Sequence, residues 1–378
     1  MLQLVVILLA CNTLLLCWNS FAAPTAFGHW DSLHGLLRWR GHVANGTLYY
    51  PWNDGVDYDR LCHILLRELK SPNNSLKIVN LGIGGGIGHK FRSLILSLTN
   101  ALMLKRNYLL NMHHMYWDSI DSCLKELRYD GNLSYFKLCS GRNPCHNRRL
   151  GYKALPHRNL MMDDYRLLPT EAEKTEIVAR LRQIGFLRRN EGYNDYYRYV
   201  IRILYNPSRH IVNQLIAERN SIGPAQYQIG AQIRCGGYLA DTNEQTAMIT
   251  PEKLKLVPDL IKKMVAHSTI PKDKLFVYLS TDSTYAARVI SKAIAPIPVR
   301  MTKLYSRGHT TSSLMKEDSM KRAYAELVLA AESQSLLLTS DSTYGKCMNW
   351  MSRSSSNVII RAPYVRTNAK PGMRSSFF

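Results

Sequence analysis

The sequence lacks the residue spacings that hold structural metals. Eight cysteines are spread over 378 residues, but no CxxC pair and no zinc-type spacing of cysteine and histidine occurs. Internal repeats and low-complexity segments are also missing. With 46% hydrophobic and 20% charged residues, the chain can bury large cores, and its length suits two domains.

Acidic residues are scarce relative to basic ones. Lys and Arg number 49 against 28 Asp and Glu, which gives a net charge of +21. Such an excess suits an anionic partner: nucleic acid, anionic lipid or a phosphorylated substrate. The basic residues are not gathered into tails or into patches with interleaved aromatics, so nucleic-acid binding is not expected. A generally basic surface accounts for the charge equally well.

Two phosphate-binding signatures are absent as well. No start satisfies GxGxxG, and a Walker A loop is excluded because His89 separates Gly88 from Lys90. The chain instead carries four glycine- or hydroxyl-rich turns, each after an apolar run that predicts a strand. Helix N-termini offer free N–H groups and a positive dipole end, which suit phosphate. These turns predict a nucleotide-sugar site, and they lie at 81–94, 229–237, 276–284 and 336–345.

The first 23 residues form an apolar leader. The run from Leu2 to Trp18 is almost wholly apolar and close to the length that spans a bilayer, and Ser20-Phe21-Ala22 offers small residues for signal cleavage. The leader is therefore either a cleaved signal peptide or a short type II anchor, and both place the body in the secretory lumen. Three N-glycosylation sequons agree with this placement, at Asn45, Asn73 and Asn132.

Six cysteines lie outside the leader, and an oxidising lumen would pair some of them. Cys139 and Cys145 bracket a short loop that contains Gly and Pro, and they are the predicted pair. Cys235 and Cys347 lie beside candidate site residues and are predicted to be free thiols.

Apolar periodicity predicts an α/β chain. A strand over 76–81, the glycine turn, a helix over 89–106 and a strand over 108–112 form a β-loop-α-β unit. From about residue 223 strands and helices alternate, which predicts a parallel sheet with helices on both faces. Ligands of such sheets bind at the carboxyl ends of the strands, where all four turns fall. The later predicted strands are 227–234, 274–280, 297–302, 335–339 and 357–361, and the predicted helices are 170–189, 193–219 with a break at Pro207, 251–268, 283–293, 319–332 and 343–353.

Two such domains facing a cleft would be a GT-B-like arrangement of two Rossmann-like domains, an expectation that rests partly on analogy. The donor site would then lie mainly in the C-terminal domain. Residues 113–165 are expected to be loop-rich and to hold the predicted disulfide. The expected organisation is a leader (1–23), a stem or extension (24–75), an acceptor-side α/β domain (76–222) and a nucleotide-sugar domain (223–378).

The glycine turn at 82–88 holds five glycines in seven residues, more than an ordinary strand-to-helix turn needs. Glycine lets a backbone approach a ligand closely, and basic residues follow in the first helical turn. An ordinary turn is the alternative. The candidate donor-contact residues here are Gly86, Gly88, His89 and Lys90.

Arg234 ends an alternating strand and enters Gly236-Gly237. A guanidinium at that place suits a bidentate grip on phosphate, and a surface salt bridge is the alternative. Ser342 and Thr343 stand at a predicted helix start. They either bind phosphate with the helix amides or, in the case of Ser342, cap the helix.

Two carboxylates complete the candidate site. Asp282 follows a predicted strand and starts a helix, so it either caps that helix or contacts the ligand. Glu326 lies within a helix of Ala, Leu and Val, where a buried carboxylate needs a partner. The N–H donors of a guanine edge would supply that partner.

At these residues the chain resembles the GDP-fucose-dependent fucosyltransferases, the group of α1,6-, plant α1,2- and protein O-fucosyltransferases. That group shows a GG-x-GN-[RQ] loop, an H-x-R or Q-x-R strand end, a Y-L-[AS]-T-D strand and a final S-[ST]-[FY]-[GS]. The counterparts occur here in the same order: Gly85 to Lys90, Gln232-Ile233-Arg234, Tyr278 to Asp282 and Ser342-Thr343-Tyr344-Gly345. They depart from the pattern at His89 and Lys90, where Asn and Arg or Gln are usual.

The resemblance implies a GT-B-like fold and an inverting transfer of fucose from GDP-fucose, with no required metal or other cofactor. It implies that Arg234 binds the donor diphosphate with Ser342 and Thr343, that Glu326 reads guanine, and that Gln232 and Tyr344 belong to the donor site. Asp241 and Glu244, just past Arg234, are the local carboxylates for a general base.

The expected enzyme is a Golgi-lumenal fucosyltransferase that acts on a glycan or glycoprotein acceptor and is held at the membrane by its leader if this is uncleaved. Secretion after signal cleavage is the alternative location. Two other functions stay open: a glycosyltransferase that uses a UDP- or CMP-sugar, and a catalytically inactive glycan-binding relative.

Overall fold

The chain forms an α/β structure with two parallel sheets. The computed structural model describes residues 55–81, 86–111, 122–140, 158–163, 169–220, 227–241, 246–268, 271–302, 317–331, 333, 335–340, 342–352, 357–360 and 365–366. The leader, Asn45, Cys145 and Glu244 lie outside these residues. Among the described residues, no helix is long and apolar enough to cross a bilayer.

The first sheet has four strands in the order β2-β1-β4-β3, and all its neighbours pair in parallel. An 18-residue helix, α2 (Ile87–Leu104), connects β1 to β2, as the predicted β-loop-α-β unit requires. The strands are β1 (Lys77–Asn80), β2 (Asn107–Leu110), β3 (Lys137–Ser140) and β4 (Leu160–Asp163).

The second sheet has five strands in the order β10-β9-β5-β7-β8, again all parallel. The central strand β5 is buried on both faces, as is usual in parallel sheets: one face carries Ile229, Ala231 and Ile233, and the other carries the buried Gln228 and Gln232. The strands are β5 (Tyr227–Ile233), β7 (Leu275–Thr281), β8 (Val299–Arg300), β9 (Ser335–Thr339) and β10 (Asn357–Ile360).

The remaining elements surround the two sheets. A small antiparallel pair, β6 with β11, lies beside the second sheet. These elements are α1 (Tyr58–Leu69), α3 (Glu171–Gln183), α4 (Tyr193–Leu204), α5 (Arg209–Asn220), β6 (Thr246–Ala247), α6 (Pro251–Leu254), α7 (Val257–Ala266), α8 (Thr284–Ala293), α9 (Glu317–Ala331), α10 (Thr343–Met351) and β11 (Val365–Arg366), with short 3-10 helices at Cys123–Leu127, Gly237–Leu239 and Lys272–Lys274.

Most predicted boundaries are confirmed to within a few residues. The predicted capping box is present, because Thr170 accepts from the N–H of Glu173 and the Glu173 carboxylate accepts from the N–H of Thr170. The helix predicted over 251–268 is two helices, α6 and α7, separated by a turn. Pro258 lies in the first turn of α7, where its missing N–H costs little.

The prediction of an irregular stem over 24–75 is wrong at its carboxyl end. Helix α1 is capped by Asp57, whose side chain accepts from the N–H of Arg60. Leu61, Leu65 and Leu69 are fully buried and recur at a helical spacing of four residues. Helix α1 is therefore part of the first core, and the stem prediction for 24–54 lies outside the described residues.

The prediction of a loop-rich segment over 113–165 is also wrong in part, because β3 and β4 lie within it. A disulfide joins Cys62 of α1 to Cys123 of the first 3-10 helix, and the sequence analysis did not predict it. The predicted Cys139–Cys145 pair lies outside the described residues at Cys145. Cys235 and Cys347 are free and buried, as predicted.

One apolar core extends from the first sheet to the second through α2, α4, α9 and α10. Phe91 of α2 packs against Trp350 of α10 and Tyr197 of α4. The carboxyl end of α10 is held by the fully buried Arg202, which donates to the carbonyls of Met351 and Ser352. A cation there complements the negative end of the helix dipole.

Candidate functional site

The ends of β1, β5, β7 and β9 bring the four predicted turns together. Gly88 of the glycine turn lies against the backbone of Thr343 and Tyr344. The N–H of Arg234 donates to Thr339 Oγ1 at 3.0 Å, and the N–H of Asp241 donates to the Asp282 carbonyl at 2.8 Å. The predicted clustering at the carboxyl edge is therefore present in the structure.

Arg234 is held in place by Asp282. The Arg234 Nε lies 3.4 Å from Asp282 Oδ2, and the guanidinium side chain keeps 27% of its surface exposed. The Asp282 carboxylate also accepts from the N–H groups of Cys235 at 2.7 Å and Gly236 at 2.9 Å. Arg234 is thus fixed at the end of its strand while part of its side chain faces solvent.

The turn after Arg234 depends on its two glycines. Gly236 has φ of 60° and Gly237 has φ of 55°, a region that side chains disfavour. A side chain on Gly237 would also meet Ala247 Cβ at 2.9 Å. The glycines let two successive N–H groups point at Asp282, which orients the arginine.

The structure changes the interpretation of Asp282 and Asp241. Asp282 does not cap α8; Ser283 does, by accepting from the N–H of Ala286. Both Asp282 oxygens are engaged by the Arg234 turn, so the aspartate orients the arginine, and a direct ligand contact of Asp282 stays a prediction. Asp241 is exposed but accepts from the N–H and Oγ1 of Thr284, and its role as a base stays a prediction.

The first two residues at the start of α10 differ in role: the Ser342 side chain caps the helix, and the Thr343 hydroxyl does not. Ser342 Oγ accepts from the N–H of Gly345 at 3.0 Å, so the capping alternative is confirmed for Ser342. The Thr343 side chain forms no hydrogen bond with the described residues, and its hydroxyl is available to a ligand. Tyr344 donates its hydroxyl to the carbonyl of Ala323, so this side chain joins α10 to α9.

The start of α2 has no side-chain cap. Gly86 occupies the N-cap position, and its carbonyl accepts from the N–H groups of His89 and Lys90. The N–H groups of Ile87 and Gly88 precede the first intrahelical bond and are left for a loop or a ligand. An 18-residue helix thus presents an uncapped positive end next to the start of α10.

Lys90 is the most unusual charge in the site. Its side chain is only 3% exposed, and its ammonium forms no hydrogen bond or ion pair within the described part of the chain. Burial lowers the pKa of Lys90 to about 8, because the charged form loses water without gaining a counter-charge. Buried lysines are normally paired, so this one requires an explanation.

Gln232 is buried next to the start of α10. Its Oε1 accepts no hydrogen bond from the described residues and lies 2.6 Å from where a Cβ on Gly345 would stand. Glycine at 345 is therefore required for this approach. Gln232 is the next-to-last residue of β5 and stands two residues before Arg234.

Glu326 has partners within the protein, contrary to the reasoning from the sequence. Arg322 Nε lies 3.1 Å from Glu326 Oε1, and Ser280 Oγ donates to Oε2 at 2.6 Å. The burial of this carboxylate therefore needs no guanine to satisfy it. A guanine-reading role for Glu326 stays a prediction that rests on the family resemblance alone.

Three site residues were missed by the sequence analysis. Arg322 stands four residues before Glu326, a spacing at which opposite charges meet on a helix, so this partner was visible in the sequence. Thr339 and Ser280 had no such signal, because their contacts cross from one strand end to another element.

Within the described residues, no group of three His, Cys, Asp or Glu side chains is placed to hold a metal. Burial raises the pKa of the thiols of Cys235 and Cys347, so both stay protonated and poorly reactive at neutral pH.

We expect Gly88→Ala to separate the starts of α2 and α10. The new Cβ would stand 2.5 Å from the Thr343 carbonyl carbon and 2.6 Å from the Tyr344 nitrogen, and both are backbone atoms that cannot rotate away. Overpacking of this kind costs about 1–3 kcal/mol, which outweighs the gain of up to about 1 kcal/mol from alanine in a helix. Denaturant unfolding measures the change.

Gly192→Ala is the matched control for Gly88→Ala. A Cβ there meets nothing within 4 Å, so the only expected cost is that of alanine in place of glycine at the N-cap of α4, about 0.5–1 kcal/mol. Equal stability of the two variants would show that the close approach of the helix starts is not a constraint.

The fold is α/β, and the candidate site places Arg234 and the starts of α2 and α10 at the carboxyl ends of the strands. No protein-family model and no curated protein matches the sequence, whereas solved structures do. An Arabidopsis thaliana FUT1 variant in complex with GDP is similar over 92% of this chain and 83% of its own, at 13% identity and a TM-score of 0.54. The resemblance to fucosyltransferases is thereby confirmed at the level of the fold.

Two further solved structures match over smaller shares of this chain. Fucosyltransferase NodZ from Bradyrhizobium covers 74% of this chain and 94% of its own, at 12% identity and a TM-score of 0.41. POFUT1 in complex with GDP covers 75% of this chain and 98% of its own, at 11% identity and a TM-score of 0.43.

Proposed function

We propose that the chain is a fucosyltransferase that moves fucose from GDP-fucose to a glycan or glycoprotein acceptor with inversion. The observation that carries the proposal is the placement of Arg234, held by Asp282 at a strand end beside the start of α10. The ordered family motifs and the fold shared with a GDP-bound FUT1 structure support it. In this proposal two Rossmann-like domains, 76–222 and 223–378, face a cleft in a GT-B-like arrangement.

The reaction is a single displacement. The acceptor hydroxyl oxygen bonds to fucose C1 while the bond from C1 to the diphosphate oxygen breaks, and GDP leaves with the electron pair. The acceptor proton passes to a base, for which Glu244 and Asp241 are the proposed candidates. Arg234, the Thr343 hydroxyl and the helix amides neutralise the charge that develops on GDP, so no metal is required in this proposal.

The proposed location is the Golgi lumen, with the leader as a type II anchor or, alternatively, cleaved before secretion. The Cys62–Cys123 disulfide supports an oxidising compartment. Asn73 and Asn132 are exposed, as glycosylation would require.

A glycosyltransferase with another donor base is the second candidate. The observation that favours it is the internal pairing of Glu326 with Arg322 and Ser280. Since that carboxylate is already satisfied, guanine binding would have to compete with Arg322 or use other groups.

Titration of the purified chain with GDP, UDP and CMP tests the proposal. We expect GDP to bind most tightly by calorimetry, with the same affinity in EDTA and in Mg²⁺. Slow release of fucose from GDP-fucose without acceptor would then measure the transfer chemistry. Preferential binding of UDP or CMP would favour the second candidate, and binding of no nucleotide would favour an inactive glycan-binding protein.

A further inference from the structure

Arg234 alone leaves a diphosphate poorly neutralised. Its Nε lies 3.4 Å from the Asp282 carboxylate, so the pair carries almost no net charge toward a ligand. A nucleoside diphosphate is negative on both phosphates and needs further positive charge when it leaves. The start of α10 contributes its dipole.

A further positive charge, that of Lys90, lies on α2, the helix whose start contacts the start of α10. Gly88 brings α2 against Thr343 and Tyr344 of α10 with room for no side chain. Lys90 follows two residues later and is nine-tenths buried and unpaired in the described structure. Helical side chains lean toward the N-terminus of their helix, so we expect the Lys90 side chain to extend toward the start of α2.

A second buried polar group supports a ligand at the same place. Gln232 Oε1 lies against the first turn of α10 without a hydrogen bond from the described residues. The Gly88 contact, the Thr343 hydroxyl and Gln232 lie together at the start of α10. Lys90 stands two residues along α2 from that contact. Within the described residues, the Lys90 ammonium, Gln232 Oε1 and the Thr343 hydroxyl have no hydrogen-bond partner.

We propose that Lys90 supplies the counter-charge for the donor diphosphate from the α2 side, opposite Arg234. This inference rests on the proposed function and deepens it. The diphosphate then bridges the starts of α2 and α10, and Lys90 stabilises the leaving GDP.

Calorimetric titration of the full chain and its Lys90→Gln variant with GDP, guanosine and inorganic pyrophosphate tests the proposal. We expect Lys90→Gln to weaken GDP and pyrophosphate binding at least tenfold and to leave guanosine binding unchanged. Lys90→Arg should retain part of the lost affinity. Lys105→Gln is the matched control, because it removes one exposed positive charge at the other end of α2.

The outcomes separate this inference from the proposed function. If the wild-type chain binds GDP but Lys90→Gln binds it within twofold as tightly, the inference is overturned and the proposed function stands. If pyrophosphate binds in a Lys90-dependent way and no nucleotide is preferred, the anion site is supported without the fucosyl donor. A wild-type chain that binds neither GDP nor pyrophosphate overturns both.

Discussion

Arg234→Ala is expected to lower kcat/KM for transfer from GDP-fucose by about 10²–10³-fold, the cost of removing one preorganised donor from a developing oxyanion. The Arg234 side chain lies beside Asp282 and keeps 27% of its surface exposed, which lets it reach a ligand. The turn itself should survive, because Asp282 keeps its bonds from the N–H groups of Cys235 and Gly236. The melting temperature of the variant should therefore change little.

Arg288→Ala controls for this substitution, since it removes an exposed arginine from α8 without touching the turn. Asp282→Asn should resemble Arg234→Ala in activity but not in stability. An asparagine cannot accept from both N–H groups of the turn and would direct its own NH₂ toward one of them. Full activity in Arg234→Ala would remove Arg234 from the donor site.

Lys90→Met is expected to stabilise the fold at pH 7 by up to about 3 kcal/mol, while it weakens donor binding. The pKa of Lys90 falls from 10.5 to about 8 on burial, and each unit is worth about 1.4 kcal/mol. Methionine fills a similar volume without a charge. A substitution that stabilises the protein and harms ligand binding is typical of a functional site.

The pH dependence of this effect has a definite sign. Below pH 8 both states carry the proton, and the native state bears the full cost of the buried charge. Between about pH 8 and 10.5 the unfolded state binds more protons, so wild-type stability rises with pH through this window. The advantage of Lys90→Met should shrink there and vanish above it, as measured by denaturant unfolding from pH 7 to 10.5.

Lys105→Met serves as the control for the stability measurement, because Lys105 is exposed and should show no such window. A Lys90→Met variant that is less stable than wild type at pH 7, or whose stability difference is constant with pH, would show that the ammonium is compensated. GDP should raise the melting temperature of the wild type more than that of Lys90→Met.

The strands and helices from about residue 223 onward were predictable because the apolar pattern of each one is visible within a short stretch of sequence. Strand β7 is apolar from Leu275 to Leu279, and β9 lies at the predicted residues 335–339. Helix α1 was missed because it follows an aromatic, polar segment, although Leu61, Leu65 and Leu69 mark its buried face. Strands β3 and β4, of four residues each, were missed because no helical pattern lies between them, whereas the equally short β1 and β2 are joined by the periodic helix α2.

The positions of the candidate site residues were predictable, but several of their contacts were not. Arg234 and Ser342 lie where strand ends and helix starts were expected. The engagement of Asp282 depends on two backbone N–H groups of another turn, which no spacing reveals. The absence of a partner for Lys90 among the described residues is likewise a property of packing, and a sequence motif cannot show it.

Helix α10 is fastened at both ends, by Arg202 on its last carbonyls and by Ser342 and the Gly88 contact at its first turn. Its amides therefore keep their direction whether or not an anion is present. Charge that appears there during a reaction meets dipoles that are already aligned, so the reorganisation energy that water would require is largely avoided. In the proposed transfer reaction, the buried guanidinium of Arg202 would in this way contribute to a lower activation barrier.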